Sequence, residues 1–84
     1  MTPREAALWM REKVEQEGSL YQYEAASYLQ EQDEALAKWD DEGNLCITKA
    51  VLNDFRKLTP SYVYVRSEKF WRAREAYDLP GRQQ

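Results

Sequence analysis

Near residue 59 the spacing of apolar side chains changes from that of a helix to that of a strand, so the chain must adopt a fold that mixes the two. Ile47, Val51, Phe55 and Leu58 recur at intervals of four, four and three, which gathers them in one narrow helical arc. Thr48 stands where an N-cap is expected, and Lys49, Asn53, Arg56 and Lys57 fall on the opposite face. Thr59-Pro60 ends the helix, because the residue before a proline is pushed out of helical geometry. Tyr62-Val63-Tyr64-Val65 and Phe70-Trp71-Arg72-Ala73-Arg74 are rich in β-branched and aromatic residues and read as two strands joined across Arg66-Ser67-Glu68-Lys69. Placing Val63, Val65, Trp71 and Ala73 inward leaves Tyr62, Tyr64, Phe70 and Arg72 outward.

Upstream of this switch the pattern is mainly helical. Thr2, Pro3 and Glu5 have the spacing of a capping box with proline at the first helical position. Ala6, Ala7, Met10 and Val14 then share an arc about 100° wide, and Gly18 supplies a stop. Trp9 flanks the stripe and Leu8 lies nearly opposite its centre. Ser19-Leu20-Tyr21 has room for a bridging strand only. A second helix of about ten residues is expected around Glu24–Gln30, with Ala25, Tyr28 and Leu29 on one side. Between Asp33 and Ile47 two readings stand. The acidic turn Asp40-Asp41-Glu42-Gly43-Asn44 can join a short hairpin, or Ala35–Trp39 can prolong the second helix. The hairpin is favoured. Residues 1–76 are expected to form one domain and 77–84 a tail.

Several function classes fall away on composition. Among 84 residues there is no histidine, one cysteine (Cys46) and three glycines, which excludes histidine-assisted nucleophiles, internal disulfides and glycine-rich phosphate loops. Cys46 between Leu45 and Ile47 reads as a buried, inert thiol. Asp40, Asp41 and Glu42 read as a solvated turn, since the loop lacks the alternating oxygen ligands of a calcium hand. So short a chain offers little depth for a catalytic cleft. A non-catalytic, cytoplasmic binding domain is expected, with no cofactor, no metal, no small-molecule substrate and no membrane span.

Charge is unevenly distributed. Residues 1–45 hold four cations against eleven carboxylates, a net of −7, while residues 46–84 hold eight against four, a net of +4; the whole is −3. Such asymmetry describes either solvated faces or a basic half that meets an anion.

The order helix, short strand, helix, helix, two-stranded hairpin over residues 3–75 is similar to the winged-helix variation on helix-turn-helix, a small α+β fold of three helices and a C-terminal β-hairpin. More locally, Asp41-Glu42-Gly43-Asn44-Leu45, Phe55-Arg56-Lys57-Leu58-Thr59, Val65-Arg66-Ser67-Glu68-Lys69-Phe70-Trp71-Arg72 and Pro80-Gly81-Arg82-Gln83 resemble a family of small bacterial proteins without an assigned function. That second resemblance implies no mechanism.

The winged-helix resemblance implies that the helix at 48–58 enters the major groove of double-stranded DNA and that the hairpin at 62–74 reaches the backbone. Lys49, Asn53, Arg56 and Lys57 are the candidate contacts on the helix, and Arg66, Lys69, Arg72 and Arg74 on the hairpin. A sequence pI near 4.9 opposes this reading. The alternative is a protein-interaction module, docking a partner or a second copy through Leu8, Trp9 and the hairpin aromatics. Tyr62, Tyr64, Phe70 and Trp71 can serve as a stacking platform for single strands, but cross-strand packing in a small sheet is the simpler use for them.

Overall fold

A computed structural model describes residues 1–73 of the chain. Arg74 and the expected tail at 77–84 lie outside the described residues. Helix α1 (Pro3–Glu17) begins as the sequence indicates. The Glu5 N–H donates to Thr2 Oγ1 at 3.1 Å, and the Thr2 N–H donates to Glu5 Oε1 at 2.8 Å. It ends at Gly18, whose φ of 85° is left-handed and whose N–H reaches the Val14 carbonyl at 2.7 Å. Ala6, Ala7, Met10 and Val14 are all buried, as the arc requires.

Strand β1 (Ser19–Tyr21) leads into α2 (Gln22–Gln32), which buries Ala25, Ala26 and Leu29. Tyr28 is half-buried, with its ring stacked on that of Trp9 at 4.1 Å and 9°. A 3-10 turn (Glu34–Leu36) follows, opened by Asp33 accepting from the Ala35 N–H. Residues 33–47 then settle on the hairpin: β2 (Ala37–Trp39) pairs antiparallel with β3 (Leu45–Ile47), Trp39 opposite Leu45.

Helix α3 (Lys49–Leu58) turns Val51 and Phe55 inward. Thr48 occupies the N-cap position, but its side chain makes no capping hydrogen bond. Its main chain does the anchoring instead, its N–H donating to the Leu36 carbonyl at 3.0 Å. At the other end the buried Thr59 hydroxyl donates to the Phe55 carbonyl at 2.6 Å.

Strands β4 (Tyr62–Val65) and β5 (Phe70–Ala73) form the expected hairpin, and β1 joins the far side of β5 to give an antiparallel sheet ordered β1-β5-β4. This register corrects the face assignment. Tyr64 lies opposite Trp71 and Tyr62 opposite Ala73, and directly opposed residues share a face. Tyr62, Tyr64, Trp71 and Leu20 therefore look toward the helices, while Val63, Val65, Phe70 and Arg72 are on the other face, where Val63 is fully buried all the same. Alternation within each strand was legible, but a one-residue difference in register exchanges every side chain of β4 between faces. Phe55 seals the inner face, its ring 5.4 Å from Trp71 and 6.1 Å from Tyr62, both edge-on.

Candidate nucleic-acid interface

The amphipathic pattern that buries Val51 and Phe55 sends the remaining positions of α3 to solvent. Lys49, Asn53, Arg56 and Lys57 are all exposed on this helix, with the half-buried Asp54 among them. Among the described residues the ion pairs are Arg11–Glu15 at 3.9 Å and Lys13–Glu17 at 3.3 Å, both along α1. The cations of α3 thus have no ion-pair partner among the described residues. Arg56 and Lys57 also sit in the last turn, where they complement the helix dipole.

Of the hairpin residues, Arg72 does not share a face with that helix. Arg72 stands on the outer face beside Val63 and Ser19, whereas α3 lies against the inner face through Phe55, so the sheet separates them. Arg72 Nη1 donates to the Ala73 carbonyl at 3.1 Å. Arg66 and Lys69 are exposed in the turn between β4 and β5. Lys69 adopts a left-handed φ of 58°, its N–H bonds the Val65 carbonyl at 2.7 Å, and its own carbonyl accepts from the Gln22 N–H at 2.9 Å. That turn is tied to the start of α2. Arg74 lies outside the described residues.

The other residues singled out in the sequence have structural roles. Asp40 Oδ1 accepts the N–H groups of Asn44 at 2.8 Å and Glu42 at 2.9 Å. Those bonds, the one from Asn44 foremost, hold its carboxyl below the usual range. The half-buried Cys46 thiol points to Asp40 Oδ2 at 3.7 Å, and burial followed by that carboxylate pushes it above the ordinary thiol range. Leu8 is exposed, and the half-buried Trp9 beside it is stacked on Tyr28. Sequence reasoning passed over Tyr21, Tyr23 and Trp39, which the structure leaves 37%, 67% and 62% exposed. The available signal was the alternating Tyr21-Gln22-Tyr23 beside a helix start.

No helix among the described residues is long and apolar enough to cross a membrane. In comparisons with known proteins, residues 2–73 match a family described as a family of unknown function (DUF6953). No curated protein and no solved structure matches the chain.

Proposed function

Because the chain belongs to DUF6953, a family of unknown function, its role has to be argued from its own surface, and we propose that it is a non-catalytic domain that contacts double-stranded DNA through α3. The observation that carries this reading is the exposed set Lys49, Asn53, Arg56 and Lys57, whose cations have no ion-pair partner among the described residues. The element order, with a sheet ordered β1-β5-β4 behind the helix, supports a winged-helix arrangement in which α3 reads the major groove. Asn53 is then placed for an adenine edge, while Lys49, Arg56 and Lys57 neutralise phosphates or fork onto guanine. Of the hairpin cations Arg66 in the β4–β5 turn completes this set, while Lys69 lines the groove beside Cys46 and Arg72 lies behind the sheet.

Fluorescence anisotropy of a labelled duplex of about 20 base pairs tests the assignment. Four phosphate contacts give a slope of log K against log salt near −3.6, hence roughly a hundredfold loss of affinity between about 50 and 200 mM salt. Arg56→Ala is expected to weaken binding and flatten the slope by about one unit. Absence of binding at low salt, or a slope indifferent to Arg56→Ala, defeats the proposal.

A further inference from the structure

A second surface lies where the start of α2, the β2–β3 hairpin and the β4–β5 turn meet around an open groove of about 480 Å³. Tyr23 and Trp39 stand along it, more than half exposed, and Leu45 and Cys46 line it between them. Tyr21 extends the aromatic surface, its ring 5.9 Å from Tyr23 and 5.2 Å from Phe70. Tryptophan and tyrosine exposed in this way are the residues that dominate binding energy at protein interfaces. The walls are held in place before any partner arrives: the Gln22 N–H to Lys69 carbonyl bond joins α2 to one turn, and the Asp40 bonds to Glu42 and Asn44 close the other.

The charge around the groove selects the partner. Asp40 and Glu68 line it, with Asp41, Glu42 and Glu24 exposed beside it, against Lys69 in the lining and Lys38 exposed beside Trp39. Aromatic faces flanked by carboxylates attract guanidinium and ammonium groups. They repel nucleic acid. A two-fold pairing of copies through the groove brings the same carboxylates face to face, which opposes a symmetric dimer. We infer that this groove docks an extended segment of another protein carrying arginine or lysine next to an apolar residue.

The test uses the full chain, 15N-labelled, titrated with the blocked tetrapeptide Ac-Leu-Arg-Pro-Arg-NH2 and with its counterpart having glutamate in place of arginine. The expected result is a saturable shift of the Trp39 indole N–H, assigned through Trp39→Phe, together with the Asn44 and Cys46 amides, at a Kd on the order of 1 mM. The acidic peptide leaves these signals in place. Trp39→Ala weakens binding about two- to five-fold and Glu68→Gln about two-fold, with unchanged shifts elsewhere reporting an intact fold. The inference is overturned by equal responses to both peptides, by shifts confined to α3, or by sedimentation showing a dimer that Trp39→Ala dissociates.

Discussion

Replacing Gly18 by alanine isolates the cost of one backbone conformation. The residue has a φ of 85°, and a Cβ built there meets nothing within 4 Å, so no steric overlap adds to the effect. Holding an L-residue in the left-handed region costs roughly 1–2 kcal/mol. Alanine also narrows the unfolded ensemble, which returns about 0.4–1 kcal/mol. The net expectation is a destabilisation of about 1 kcal/mol, which for a chain of this size lowers Tm by about 4–8 °C. In urea it moves the midpoint down by roughly 1 M with the slope m unchanged. Gly43, with a φ of 84° and equally open surroundings, provides a matched control expected to lose the same amount. Asparagine at 18, which tolerates the left-handed region, is expected to lose less. The reasoning fails if Gly18→Ala is neutral or stabilising, or if asparagine costs as much as alanine.

Three further outcomes follow from the first helix cap and from Cys46. Thr2→Ala removes half of the capping box and is expected to cost about 1 kcal/mol near pH 7 by chemical denaturation. Hydrogen bonds from the Thr2 main chain and then its hydroxyl lower the Glu5 pKa from 4.5, so Glu5 stabilises the fold above that value and the benefit disappears as pH falls through the lowered folded pKa. The stability gap between wild type and Glu5→Gln should therefore close in acid; a gap that widens contradicts the assignment. Cys46, its thiol pushed up by burial and then by Asp40, should react with iodoacetamide at pH 8 more slowly than free cysteine, with partial acceleration in Asp40→Asn and the full rate in denaturant. Equal rates in folded and unfolded protein refute this.

Local signals located most of the elements, because caps, stops and apolar periods are written in neighbouring residues. Thr2 and Glu5, Gly18 and the Val51–Phe55 stripe each act within one or two helical turns. What escaped depended on distance. The register of β4 against β5 sets which face Tyr64 occupies, and no residue within β4 reports it. The same limit applies to the candidate surfaces. The exposed side of α3 was legible from its period, whereas the placement of Arg72 behind the sheet and of Tyr23 and Trp39 along one groove are products of tertiary assembly.

The place of β5 in the sheet constrains how this protein comes into being. Among the described residues the middle position is filled by the last strand in chain order, and both outer strands, one of them near residue 20, pair with it. Until Phe70–Ala73 emerges, Ser19–Tyr21 and Tyr62–Val65 have no partner in this sheet. Helices α1 and α3 can meet beforehand, but Trp71, against which Phe55 and Leu20 close, arrives only then. Completion of the fold is therefore a single late event that joins distant parts of the chain, and a product shortened before residue 70 loses the whole sheet together.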